Sequence, residues 1–430
     1  MKILFLTENF PPETNAAATR VFERAVYWAR WGHQVTVITC NPNFPQGRLF
    51  DGHRNDWKTV ETMAGIRVVR VKTYIAPNRG VLRRTFDFIS FGATGLLAGL
   101  REPRPDVVAA TSPQFFAAVA AWLIGAWRRI PFVFELGDLW PASIAAVGAM
   151  RPNLGLRLVE KLELHLYRRA ASVAALTHHF KQNLVGRGIP ADKIAVVING
   201  VDLGRYAPRE RDANLAREWD LENKFVVGYV GTHGMAHALG NVLDAAELLG
   251  DRDDIRFLFA GAGAEREQLM ATAEARNLAN VRFLPMQPKE MMPRVWSLCD
   301  AALVHLKNSP VFAGVIPSKI FEAMGMGLAV LLAAPEGEAS RIVIDDGAGL
   351  HVAAEDPAAL ADAVRHLADD GDGRTRLAAA SHAAAPLHSR EVQAQHMIDV
   401  LDAAANGHGG VAGTLPLPDA PSDATAREAD

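Results

Sequence analysis

Cysteine is scarce in this 430-residue chain, which holds only Cys40 and Cys299, both among apolar neighbours. Two cysteines exclude a disulfide scaffold and a cysteine-based metal site, and they fit a reducing compartment. An excess of one charge is also lacking. Forty-five Lys+Arg against 48 Asp+Glu leave a net −3, which argues against a dedicated nucleic-acid binder. Several chemistry-fixing motifs are missing. No G-x-G-x-x-G follows the first strand-like run, which weighs against a dehydrogenase, and there is no Walker loop, His-Glu zinc spacing or G-x-S-x-G elbow. The start, MKILFLTENFPPE, is expected to be a first strand rather than a signal peptide. Asp251-Arg252-Asp253 and Asp370-Gly371-Asp372 read as solvated loops, not metal sites. Only Val107–Trp127 is long and uncharged enough to cross a bilayer on paper. Ser112, Pro113 and Gln114 interrupt it, so it reads as strand, loop and helix.

What is present is an alternation of short apolar runs and helical patterns. In the first half the strands are KILFLT, QVTVITC, IRVVRVKTY, VVAATS, PFVFEL, SVAALT and IAVVI, with helices such as Arg20–Trp31 and Leu154–Ala170 between them. In the second half they are FVVGYVG, IRFLFAG, VRFLP, AALVHL and AVLLAA. Continuous apolar strands separated by helices predict α/β parallel sheets covered on both faces, here two doubly wound, Rossmann-like domains in series. The expected division is 1–205 and 206–385, with a polar linker over Pro208–Lys224. A helix within 386–405, strongest over Met397–Ala405, could cross back to the first domain. The Gly-, Pro-, Ala- and Asp-rich segment 406–430 is expected to be a disordered tail. The small net charge hides a polarity. Residues 1–205 carry 26 Lys+Arg against 15 Asp+Glu, whereas residues 206–430 carry 19 against 33.

In such sheets ligands bind beyond the carboxyl ends of the strands, and four segments there carry candidate chemistry. After the first strand, Ala16–Thr19 open a helix whose N-terminus suits an anion, with Arg20 on its first turns. A plain strand–helix turn reads equally well. FVFELGDLWPAS puts Glu135, Asp138 and Trp140 at a buried strand's end, although Asp138 could simply cap the next helix. GYVGTHGMAHALG offers Gly231 and Gly234 for close backbone approach, and His233 and His237 as phosphate donors. The bland alternative is a turn with surface histidines. In VIPSKIFEAMGMGLAVLLAA, Ser318 would cap a helix and Lys319 would sit at its positive end. Glu322 would lie one turn further. Such a group suits a diphosphate and a ribose, unless it is merely a capped helix with a surface pattern.

Together these segments resemble the family 4 retaining glycosyltransferases of GT-B fold, in particular the bacterial surface-polysaccharide branch of fucosamine and colanic-acid-type transferases. NFPPETNAAATR, RWGHQVTVITCNPNFPQGRLFDG, ELGDLWPAS, INGVDLGRY, YVGTHGMAHAL and PSKIFEAMGMGLAVLLA carry the resemblance, over about residues 1–405. It implies two Rossmann-like domains facing across a cleft, the acceptor on the first and a nucleotide-sugar donor, UDP-linked, on the second. Glu322 matches the family's ribose-holding Glu, Ser318 and Lys319 the diphosphate approach, and Gly231, His233 and Gly234 the glycine-rich loop. Arg20 is assigned to the same diphosphate. Asp138, Glu13 and His233 are the expected catalytic residues. No metal or cofactor is implied. The chain departs from the pattern twice, with Gly314 where the motif's first Glu stands and Gly137 where relatives often carry a basic residue.

The reaction so implied moves a sugar to a lipid-linked or saccharide acceptor in surface-polysaccharide synthesis. Alternatives are a UDP-N-acetylglucosamine 2-epimerase of the same architecture and a non-catalytic, two-lobed sugar-binding protein. Arg79–Arg84, with Arg83 and Arg84 beside FDFISFGATGLLAGL, would dock the enzyme on an anionic membrane surface, unless the stretch is simply a buried helix with a solvated basic flank. That places it in the cytoplasm, at the inner face of the plasma membrane.

Overall fold

The computed structural model describes residues 1–44, 46–76, 81–112, 115–139 and 154–407. The first sheet is built from β1 (Lys2–Leu6), β2 (Gln34–Cys40), β3 (Lys58–Met63), β4 (Ile66–Val71), β5 (Val107–Thr111), β6 (Phe132–Leu136), β7 (Ser172–Ala175) and β8 (Ile194–Val196). Their order is β3-β4-β2-β1-β5-β6-β7-β8. All neighbours are parallel except β3 and β4. β5, β6 and β7 are buried along their whole length, as helices on both faces require. The chain leaves β1 towards β2, then returns to β5 on its other side. That reversal opens a crevice at the carboxyl ends of β1 and β5.

The second sheet holds β9 (Phe225–Val230), β10 (Ile255–Ala260), β11 (Val281–Leu284), β12 (Ala301–His305), β13 (Ala329–Ala333) and β14 (Gly349–Val352). Its order is β11-β10-β9-β12-β13-β14, all parallel. Here the reversal falls between β9 and β12.

Two strands were not expected. β3 reads KTVETM and is exposed almost throughout, an edge hairpin arm with no apolar run to betray it. β14 is only four residues long and half-buried. The expected linker contains a short helix, Ala213–Glu218, capped by Asp212. The uncharged run at Val107 is β5 followed by the helix Phe115–Arg128. Among the described residues no helix is long and apolar enough to cross a membrane. The last helix starts earlier than its apolar residues indicate, spanning Arg390–Ala405 behind the cap Ser389. It returns to the first sheet, where Met397, Val400 and Leu401 share a core with Val21, Ala25 and Trp28. Trp28 Nε1 donates to the carbonyl of Ala394 at 2.9 Å. The tail expected over 406–430 lies, from residue 408, outside the described residues.

Candidate active site

The loop after β9 and the helix Lys319–Met326 meet at the second sheet's crevice. Gly231 sits at φ 142°, a left-handed conformation that glycine alone adopts cheaply. A Cβ there would lie 3.1 Å from Lys319 Nζ, so the missing side chain leaves room for the lysine. That Nζ is buried, has no hydrogen-bond partner, and stands 3.7 Å above the Tyr229 ring centroid. Burial lowers its pKa to about 7, and Glu322 offsets this only in part. One turn on, Glu322 accepts from Trp296 Nε1 at 3.2 Å and from the Tyr206 hydroxyl. Burial raises its pKa despite these donors. The pair is thus a lysine amine without a hydrogen-bond partner, half charged near pH 7, beside a carboxyl already oriented by two ring donors.

His233 is wholly buried against Tyr229 and Phe259, and neither ring nitrogen has a partner. Burial, with Arg266 and Lys319 nearby, lowers its pKa to about 4, so it is neutral at physiological pH. It can donate to a phosphate only as a neutral tautomer. Gly234 is extended and leads into the short turn Met235–His237, so the helix Gly240–Glu247 begins later than expected. Ser318 does not cap its helix with its side chain. Its hydroxyl instead accepts from Asn199 Nδ2.

The crevice of the first sheet holds a cavity of about 410 Å³, lined by residues that follow β1, β2, β4, β5 and β6. Asp138 lines it, as do Glu8, Asn15, Arg20, Arg84 and Asp87. Two expectations need correction here. Arg20, assigned to the donor diphosphate, belongs to this first-domain cavity. It donates to Glu135 Oε1 at 3.0 Å and to Thr111 Oγ1 at 3.1 Å. Glu13, expected to act on the acceptor, is buried and already saturated. Its Oε1 accepts from the backbone N–H groups of Asn43 and Phe44 at 2.8 Å each, and its Oε2 from Asn9 Nδ2 at 2.9 Å. It holds Asn9, Asn43 and Phe44, which line the cavity. Trp140 lies outside the described residues.

Both departures from the family pattern have a steric cause. A Cβ at Gly137 would meet Arg20 Nη2 at 2.7 Å, so Arg20 brings its guanidinium to the place of a side chain at 137. A Cβ at Gly314 would meet His179 Cδ2 at 2.2 Å, so a first-domain imidazole fills that space. The two domains are tied nearby. Both Glu338 oxygens accept from the backbone N–H groups of His178 and His179. Glu23, on the first helix (Ala16–Arg30), pairs with Lys289 at 2.9 Å, Arg390 at 2.8 Å and Arg205 at 3.1 Å.

Glu8, Asn15 and Asp87 were not among the candidates. Glu8 could have been found, since it stands two residues beyond β1. Asp87 is the one charged residue between Arg84 and Arg101 of the helix Val81–Arg101, which is a weaker signal. Of the pair expected to meet a membrane, Arg83 is exposed, but Arg84 lines the cavity and stacks on Phe88. Arg79 lies outside the described residues.

Comparison with known proteins bears on the whole arrangement. Residues 17–205 match the family model Glycosyltransferase Family 4, and residues 212–383 match Glycosyl transferases group 1. A protein of Escherichia coli K12 named for colanic acid biosynthesis, the glycosyl transferase WcaI, is 25% identical over 76% of this chain and 82% of its own. A GDP-mannose-dependent alpha-mannosyltransferase of Mycobacterium tuberculosis is 26% identical over 85% of this chain and 88% of its own. Among solved structures, HepE of Anabaena in complex with UDP and glucose superposes with a TM-score of 0.70 at 18% identity. That match covers 94% of this chain and all of the other.

Proposed function

We propose a donor, an acceptor class and a mechanism from one premise: the chain belongs to the glycosyltransferases of GT-B fold, its first half of Family 4 and its second of group 1. The donor is a nucleotide sugar, UDP-linked, seated on the second domain. The acceptor is a glycan, carried on a lipid, seated on the first, and the product is a surface polysaccharide. The observation that carries the reading is the unpartnered, buried Lys319 ammonium beside the Gly231 loop, with Glu322 one turn away. A diphosphate supplies the missing anion, and a ribose supplies vicinal hydroxyls to Glu322. The names of the relatives support a nucleotide-sugar donor but divide on the nucleotide, since the Mycobacterium tuberculosis relative is GDP-mannose-dependent. HepE was solved with UDP and glucose, and the Escherichia coli relative is named for colanic acid synthesis.

The chemistry follows from where charge develops. As the anomeric C–O bond to the diphosphate breaks, negative charge grows on the leaving phosphate. Lys319, a neutral His233 donor and the backbone of the Gly231–Gly234 loop stabilise it. The acceptor hydroxyl attacks from the same face, so configuration is retained, and its proton passes to the departing phosphate oxygen. Asp138, on the acceptor side, positions that hydroxyl. Because Lys319 supplies a cation at the diphosphate, the reading includes metal independence, and turnover is expected to survive EDTA.

The membrane part of the reading rests on the helix Val81–Arg101. It exposes Phe86, Ile89 and Leu97 along one stripe, with Arg83 at its start. This face is proposed to rest on anionic lipid on the cytoplasmic side of the membrane. Vesicle co-sedimentation of a Phe86→Ser/Arg83→Glu variant tests it, and unchanged binding to anionic vesicles contradicts it.

A thermal-shift screen with UDP, GDP, ADP and dTDP sugars tests the donor. Only a true donor stabilises the fold at moderate concentration. Calorimetry on Glu322→Ala completes the test: nucleotide affinity is expected to fall at least tenfold, and intact affinity would remove Glu322 from the site.

A further inference from the structure

We propose that Glu8, Asn15 and Asp87 form a subsite of the first-domain cavity that holds a sugar ring of the acceptor by its hydroxyl groups. The inference rests on the glycan acceptor proposed above and names the residues that select it.

Three side chains of one cavity each keep one buried polar atom without a protein partner: Glu8 Oε2, Asn15 Nδ2 and Asp87 Oδ1. Two of the three are engaged through their other groups. Asn15 Oδ1 accepts from the backbone N–H of Ala18 at 2.9 Å, as an N-cap should, and Asp87 accepts from the backbone N–H of Ala76. The residues come from three segments: the loop after β1, the cap of the first helix, and the helix Val81–Arg101. A folded chain rarely leaves such atoms unsatisfied, because burying one without a partner is costly. Three converging on a single cavity mark a place where a ligand completes the bonding. Glu13 provides the contrast. It is buried close by, but its oxygens already accept three N–H bonds.

The chemistry of the three atoms selects the ligand. Glu8 is 5% exposed and Asp87 7%. Burial raises the pKa of both carboxyls, that of Asp87 to about 7, and Glu13 repels both while Arg84 draws both back. Asp87 also repels Glu8, and Cys40, buried against the Glu8 backbone, is a neutral thiol. The pair therefore keeps a proton near neutral pH, so that one carboxyl donates while the other accepts, and Asn15 adds a donor. Alternating donors and acceptors suit hydroxyl groups, each of which does both. Two carboxyls disfavour a phosphate at this spot. The cavity's volume of about 410 Å³ falls in the range of small-molecule sites.

The test is saturation-transfer NMR with free methyl glycosides of glucose, galactose, mannose, fucose and N-acetylglucosamine at millimolar concentration. At least one is expected to show transfer from the wild-type protein, and the signal is expected to vanish in Asn15→Ala and in Asp87→Leu. Both variants should keep wild-type affinity for the nucleotide that stabilises the fold, which shows that they are folded. Asp87→Asn is expected to keep the glycoside but to lose the pH dependence. Wild-type affinity should drop about thirtyfold between pH 6 and pH 8.5 as Asp87, with its pKa at about 7, loses its proton, whereas the Asn variant should lack that step. If no glycoside binds, or if binding survives both Asn15→Ala and Asp87→Leu, the subsite is refuted. Glycoside binding without any nucleotide-sugar turnover would instead overturn the proposed function and leave the subsite standing.

Discussion

The buried ammonium of Lys319 makes a quantitative prediction about pH. In the empty site its pKa lies at about 7, lowered by burial. It is thus half-protonated at pH 7 and only about 3% protonated at pH 8.5. A bound diphosphate at hydrogen-bond distance needs the charged form and returns the pKa to the ordinary range above 10. Binding therefore takes up a proton, and affinity must fall as pH rises. From the two protonated fractions, the Kd for UDP should weaken about 16-fold between pH 7 and 8.5, or about 1.6 kcal/mol. His233, with its pKa at about 4, does not titrate in this window. Calorimetry in two buffers of different ionisation enthalpy measures both quantities. Proton uptake should rise from about one half towards one per site over the same range. Lys319→Arg provides the control, because a guanidinium stays charged throughout, and its UDP affinity should be flat. A wild-type Kd that does not change from pH 7 to 8.5, with no proton uptake, would show that Lys319 does not meet the diphosphate.

Three further outcomes follow from the packing. Glu23→Gln leaves Lys289, Arg390 and Arg205 without their shared carboxylate and should cost about 3 kcal/mol, seen as a lower Tm. An unchanged Tm would deny Glu23 its part in joining the domains. Asp87 has a folded pKa of about 7 against an ordinary 3.8, so its contribution to stability is present below about pH 4 and is lost as pH rises through about 7. The full shift corresponds to about 4 kcal/mol; roughly half that is expected where the cavity admits water, so Asp87→Asn should be more stable than wild type at pH 8.5 by about 2 kcal/mol. The advantage should shrink at pH 5, and an equal Tm difference at both pH values would refute the cause. Finally, Gly314→Glu restores the family residue but drives its Cβ into His179. A loss of about 2 kcal/mol or more is expected, relieved in part by His179→Ala. A Gly314→Glu protein as stable as wild type would mean that His179 does not fill that space.

Much of this protein follows from local pattern. The buried strands VVAAT, FVFEL and AALVH are continuous apolar runs, which only sheets covered on both faces can accommodate. Ser318, Lys319 and Glu322 share one turn of helix, and helical spacing is a property of the chain itself, so their juxtaposition was legible before any fold was known. Elsewhere the tertiary structure decided. β3 escaped because an exposed edge strand has no buried face to write into its residues. Glu13 and Glu8 lie five positions apart and look alike as sequence, yet one carboxylate is saturated and the other is left open. The difference comes from the backbone of Asn43 and Phe44, which arrives from the far end of β2. Gly137 and Gly314 read as lost functional groups until Arg20 and His179, distant in sequence, are seen to fill their places. A residue's type sets which bonds it can make. Which of them remain unmade, and so available to a ligand, is set by the segments packed against it, and those are brought together only by the folded sheet.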